Sequence, residues 1–169
     1  MTEFLDTDSL YALEIVSLRI KRRIIRELIA LFNVSSSIMI GIDNNKKVPV
    51  ITVQDNLYNS YNIYSFIIHD SYPFRPPGIL INSIPYIQFC RINAIGFCKN
   101  LKQVGDIYCF CCNSIIHSVK WSPATKLTDI IMEIRNFKKM RRDVINKIFI
   151  DIITRKYLIK DINLYSWLF

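Results

Sequence analysis

The chain holds 169 residues, 51% of them hydrophobic, with a formal net charge of +8 at pH 7. That length suits a single domain with one core and leaves little for a second. No uncharged run, that at residues 76–90 included, reaches the roughly eighteen residues a bilayer span requires, and the acidic start Met1-Thr2-Glu3-Phe4-Leu5-Asp6 does not read as a secretory leader, so a soluble intracellular protein, cytoplasmic and/or nuclear and without a membrane partner, is expected.

The basic residues gather in segments 19–26 and 138–142, whereas the aromatics lie in strand-like segments elsewhere. A nucleic-acid site interleaves the two, so these clusters read as solvated helix faces and no nucleic-acid partner is expected. From residue 9 to residue 32, Leu13, Val16, Ile20, Ile24, Leu28 and Leu31 recur at three- and four-residue steps, with Asp6, Thr7 and Asp8 available as caps. That is the period of an amphipathic helix, and Arg19, Lys21, Arg22, Arg23 and Arg26 flank its apolar stripe. Ser35 marks its end. Strand-like runs follow at 37–42, 48–53, 61–68 and 79–81, with Asp43-Asn44-Asn45 as a turn between the first two. Residues 82–120 show no period and predict a long irregular segment, where functional sites tend to lie. Beyond them, Leu127, Ile130, Ile131, Ile134 and Phe137 mark a second helix, and Val144, Ile145, Ile148, Phe149, Ile152 and Ile153 a third. The expected fold is α+β: an N-terminal helix, a four-stranded antiparallel meander, an irregular segment and C-terminal helices.

Two motifs punctuate this plan. Tyr72-Pro73-Phe74-Arg75-Pro76-Pro77 carries three prolines, which lack an N–H and cannot cross the middle of a sheet. They predict a rigid exit from the preceding strand, with an aromatic load that needs a partner. Trp121, in Trp121-Ser122-Pro123-Ala124, is the natural one. Cys90, Cys98, Cys109, Cys111 and Cys112 all fall between the motifs, an odd number that argues for reduced thiols. For any one of them the plain role is core packing. Cys98, Cys109, Cys112 and His117 offer four potential ligands, but not at the paired spacing of zinc sites, so no metal is expected.

In order and content these features resemble the ubiquitin-conjugating enzymes over roughly residues 10–137 of one 169-residue domain, with 138–169 as a helical extension. The resemblance implies a cysteine that carries ubiquitin, or a ubiquitin-like protein, as a thioester. The modifier comes from an activating enzyme and passes to lysine with or without a ubiquitin ligase. A thiolate attacks an activated thioester readily, and the product stays reactive toward an amine. ATP is used by the activating enzyme, so no cofactor is implied for this chain.

Three registers locate that cysteine. Counting back from Trp121, Cys112-Asn113-Ser114-Ile115-Ile116-His117 is similar to the family's Cys-x-x-aliphatic-aliphatic run and favours Cys112. Counting forward, Phe97-Cys98-Lys99-Asn100-Leu101 is similar to its Tyr-His-Pro-Asn-aliphatic run, with His and Pro lost and Asn100 kept as an amide that would support the oxyanion. This register, through Gly105, puts Tyr108 at the cysteine position, as in inactive variants of the family, and a one-residue insertion puts Cys109 there. Cys98, after Gly96-Phe97, is the third. The resemblance also implies ligase docking at Phe74, Ser122, Pro123 and Ala124, and a basic surface of Arg19, Arg22 and Arg23 for the activating enzyme's acidic domain. The family's Pro-rich loop is missing, and Asp143 reads as an exposed helix charge. The alternative is a catalytically inactive variant of the fold, an interaction module that binds ubiquitin or a peptide.

Overall fold

The structure, a computed structural model, describes residues 18–33, 37–43, 48–57, 60–91, 95–105 and 109–165. In chain order these form α1 (Leu18–Phe32), β1 (Ser37–Asp43), β2 (Val48–Leu57), β3 (Ser60–Ile67), β4 (Gly78–Ile81), β5 (Ile84–Pro85), α2 (Tyr86–Cys90), α3 (Ile95–Gly105), α4 (Phe110–Asn113) and α5 (Leu127–Tyr165). The fold is α+β. By contacts the chain divides into two units, Met1–Cys90 with Ser114–Glu133, and Arg91–Asn113 with Ile134–Phe169.

In the first unit the period-two pattern builds a five-stranded antiparallel sheet in sequential order. Ile51, Val53, Tyr64, Phe66, Ile79 and Ile81 are buried. The intervening Thr52, Gln54, Ser65, Ile67 and Leu80 are half-buried, as alternation across a pleat dictates. The register sets Val53 beside Tyr64 and Tyr64 beside Ile81, so core residues pair across strands. α1 lies against β1, with Ile20, Ile24, Leu28 and Leu31 buried along one stripe. The helix start expected at residue 9, its caps Asp6, Thr7 and Asp8, and the turn residues Ser35, Asn44 and Asn45 lie outside the described residues.

Three expectations are corrected. The sheet has five strands, not four. Asn82 and Ser83 adopt φ values of 49° and 66°, making a two-residue hairpin turn that pairs Ile81 with Ile84. Asn82 is held by two hydrogen bonds to Ile63 of β3. Its N–H donates to the Ile63 carbonyl at 2.8 Å, and its Oδ1 accepts the Ile63 N–H at 2.8 Å. Pro85 is tolerated because β5 is the sheet edge. Residues 82–120, expected to be irregular, hold α2, α3 and α4. The two expected C-terminal helices are one helix, α5, of 39 residues, about 58 Å long. The polar run Lys138-Lys139-Met140-Arg141-Arg142-Asp143 interrupts the apolar pattern but contains no Gly or Pro to stop a helix.

The second unit has its own small core of Phe97, Leu101, Phe110, Ile134, Phe137 and Val144. Phe110 stacks on Phe137 at 4.4 Å between centroids, and the Arg141 guanidinium lies over the Phe110 ring. Lys147 Nζ donates to Gln103 Oε1 at 2.7 Å, tying α5 to α3. Further along α5, Ile145, Phe149, Ile150, Ile152 and Ile153 are exposed. No helix among the described residues is long and apolar enough to cross a membrane.

Candidate functional site

The two Pro-aromatic motifs meet in the first unit. Trp121 Nε1 donates to the Pro73 carbonyl at 2.8 Å, and its ring tilts against Tyr72 at 6.4 Å. The Tyr72–Pro73 peptide is cis. Tyr72 is buried, but Phe74 is 58% exposed, so Trp121 takes up only part of the aromatic load. Ser122, Pro123 and Ala124 are exposed. Their turn is closed locally: Ser122 Oγ accepts the Ala124 N–H at 3.2 Å and its carbonyl accepts the Thr125 N–H at 2.9 Å. The result is one rigid rim that presents Phe74, Pro123 and Ala124 to solvent.

Beneath the rim lies a buried charge. Glu27 is 2% exposed. It pairs with Arg23 Nη2 at 2.6 Å, accepts the Tyr72 hydroxyl at 3.2 Å and accepts the Leu127 N–H at 2.9 Å. Arg23 Nη2 also donates to the Thr125 carbonyl at 2.8 Å, and its guanidinium lies over the Tyr72 ring. Burial, reinforced by the Glu27 charge, pushes the Tyr72 phenol above its usual range. Arg23 thus joins α1 to both motifs from inside and does not extend the exposed face that Arg22 offers. The Arg19 side chain lies outside the described residues.

A second carboxylate anchors the chain just after the cysteines. Glu133 Oε2 accepts the Tyr86 hydroxyl at 2.7 Å and the Ser114 hydroxyl at 2.8 Å, while Oε1 accepts the Ile115 N–H at 2.7 Å. Burial drives the Tyr86 phenol far above its ordinary pKa, outweighing the opposing hydrogen bond from Ser114. Ser114 and Ile115 are therefore fixed by a network with every oxygen of Glu133 engaged.

The thiols themselves belong to the second unit. Cys109, Cys111 and Cys112 place their sulfurs within 4.8 Å of one another, with Cys109 Sγ 2.9 Å from Cys111 Sγ and Cys111 Sγ 3.8 Å from Cys112 Sγ. Phe110, fully buried between them, plants the turn in the core. The Cys112 N–H donates to Cys109 Sγ at 3.1 Å, and Asn113 Nδ2 donates to the Cys109 carbonyl at 3.1 Å. Burial opposes ionisation of Cys109, but hydrogen bonds from Cys111 and Cys112 hold its thiol below the usual value. The same contact with Cys109, followed by that with Cys111, pushes Cys112 up to about 11. Cys112 is exposed and Cys109 half-buried, so the more accessible thiol is the harder to ionise.

Among the other candidates, Asn100 is half-buried on α3, and the Cys98 side chain and Tyr108 lie outside the described residues. His117 is exposed and accepts the Val119 N–H at Nδ1. Glu27, Glu133 and Cys111 carry roles the sequence reading did not assign. Glu27 had a legible signal: with Ile20, Ile24 and Leu31 it falls on the apolar stripe of α1, where a charge must find a partner. No family model matches the chain, and comparison with curated proteins and with solved structures finds no match.

Proposed function

We propose that this chain is a divergent ubiquitin-conjugating enzyme, carrying ubiquitin or a ubiquitin-like protein as a cysteine thioester for transfer to lysine. The observation that carries the reading is the join of Trp121 to Pro73, which makes one rim of the two motifs that the family resemblance rests on. The accessible thiols of the Cys109–Cys112 turn fit the acceptor role. Cys112 sulfur attacks the activating enzyme's thioester carbonyl, that enzyme's thiolate leaves, and the Cys112 proton passes to solvent. The new thioester is then open to a lysine amine. Cys109 is the second candidate because its sulfur is better supplied with hydrogen-bond donors. Cys98 is the third, and Asn100 is the proposed oxyanion support. The exposed Phe74, Ser122, Pro123 and Ala124 are the proposed ligase contact, since rigid flanking prolines lose little entropy on binding.

The test is incubation with ubiquitin, activating enzyme and ATP, read by mass for a reductant-sensitive adduct. Wild-type protein should form it, and Cys112→Ser should trap an ester that resists reductant. A thioester that persists in Cys112→Ser and vanishes in Cys109→Ser moves the acceptor to Cys109. No adduct on the wild type overturns the enzyme reading.

One observation favours the non-catalytic alternative. The outer face of the sheet holds a hollow of about 350 Å³ lined by Gly41, Asp43, Val50, Thr52, Ser65 and Leu80, a surface on which a bound protein or peptide could rest without any thiol chemistry. Ubiquitin binding that survives without adduct formation, and is lost in Thr52→Arg, selects that reading.

A further inference from the structure

We propose that Cys109, Cys111 and Cys112 form a binding site for one soft d10 metal ion, Cu(I) held by three thiolates. This goes beyond the carrier reading and does not depend on it. Three sulfurs from four consecutive residues already converge within 4.8 Å. An ion lying about 2.3 Å from each of three coplanar sulfurs holds them about 4.0 Å apart. The Cys111–Cys112 separation of 3.8 Å is close to that, and the Cys109–Cys111 pair needs to open from 2.9 Å by about an ångström.

The turn is also built to hold such a group. Phe110 is buried and stacked on Phe137, so the backbone that presents the thiols is anchored to α5. The Cys112 N–H already points at Cys109 Sγ, the kind of donor that stabilises a ligating thiolate. Arg141, over the Phe110 ring, brings positive charge to the same turn.

The ligand set selects the metal. An all-sulfur site is soft and disfavours magnesium, calcium and manganese, which seek oxygen. Three thiolates complete the shell of a three-coordinate Cu(I), whereas tetrahedral Zn(II) requires a fourth ligand. On binding, each thiol gives its proton to solvent and no electron is transferred, because the copper enters already reduced.

Titration of the reduced, metal-free full chain tests this, with Cu(I) and, separately, Zn(II) supplied from chelators of graded strength. One Cu(I) per chain should be retained, with its sulfur-to-copper absorption. Each of Cys109→Ser, Cys111→Ser and Cys112→Ser should weaken retention at least tenfold. The exposed Cys112 makes its variant the one that leaves the fold intact, to be checked by circular dichroism. Cu(I) retention unchanged in Cys112→Ser, or no retention by the wild type, overturns the proposal. Stronger retention of Zn(II) than of Cu(I) overturns the three-coordinate assignment. A chain that forms no ubiquitin adduct and still retains Cu(I) separates this proposal from the carrier reading, and the reverse result does so equally.

Discussion

Two residues carry more than their neighbours. Glu133 accepts hydrogen bonds from a buried tyrosine, a buried serine and a backbone N–H, so Glu133→Ala leaves several donors unmet at once. It is expected to lower unfolding free energy by about 2–4 kcal/mol, and Tyr86→Phe, which removes one donor cleanly, by about 1 kcal/mol. Urea titration of both variants measures this, and an alanine effect within 0.5 kcal/mol of zero would show that water replaces the carboxylate. Cys109 and Cys112 make a second pair of contrasting residues. The thiolate is the reactive form, so charge should prevail over exposure in chelator-treated, reduced protein. Iodoacetamide at neutral pH should mark Cys109 ahead of Cys112, with Cys112 overtaking only as the pH approaches about 11. Peptide mapping reads the order, and preferential labelling of Cys112 at neutral pH contradicts the hydrogen-bond assignment.

At the scale of elements, the hairpin β4–β5 and the helix α5 show why local pattern succeeded in some places and failed in others. The strands β2 and β3 were legible as β-branched and aromatic runs, but their buried faces were not. Ile51 and Val53 are buried while Val48 and Val50 are half-buried, a choice set by which side of the sheet meets the core. The Asn82-Ser83 turn was not legible either, because the common signal has glycine second, and Ser83 holds φ 66° without it. Ser83→Gly should therefore stabilise the protein by about 0.5–1 kcal/mol, seen as a higher thermal midpoint. A fall would mean that the serine side chain earns its place there by other contacts. α5 reads as two helices in sequence because its polar middle breaks the apolar stripe, yet nothing in that middle opposes helix. Val144 is buried, but residues 151–156 are exposed on every side. A helix without tertiary cover is held only by its own marginal propensity. Amide exchange should accordingly be at least tenfold faster over 151–156 than over 127–144, and uniform protection along α5 would require a partner surface.

For the whole molecule, the net charge of +8 matters chiefly through which cations are free to act. Arg22 is exposed, whereas Arg23 is engaged with Glu27, Thr125 and Tyr72. Under the carrier reading, Arg22→Glu should slow thioester formation about tenfold at low salt, with the deficit shrinking as salt is added. Its stability should be unchanged. Arg23→Ala should instead cost about 3 kcal/mol, because a buried carboxylate loses its counter-charge. Equal kinetic and stability effects for the two variants would put both arginines on the same surface and contradict the pairing of Arg23 with the buried Glu27.

The sequence by itself determined the α+β plan, the apolar stripe of α1, the central strands and the pairing of the 72–77 motif with Trp121. Each is written in a local period or in residue types with few conformational options. Only the tertiary structure decided that Phe74 stays outside while Tyr72 goes in, and that Glu27 and Glu133 bind the segments together. It alone brought Cys111 into one cluster with Cys109 and Cys112. These depend on which groups remain unsatisfied once the chain has closed on itself, and desolvation settles that only when distant segments meet.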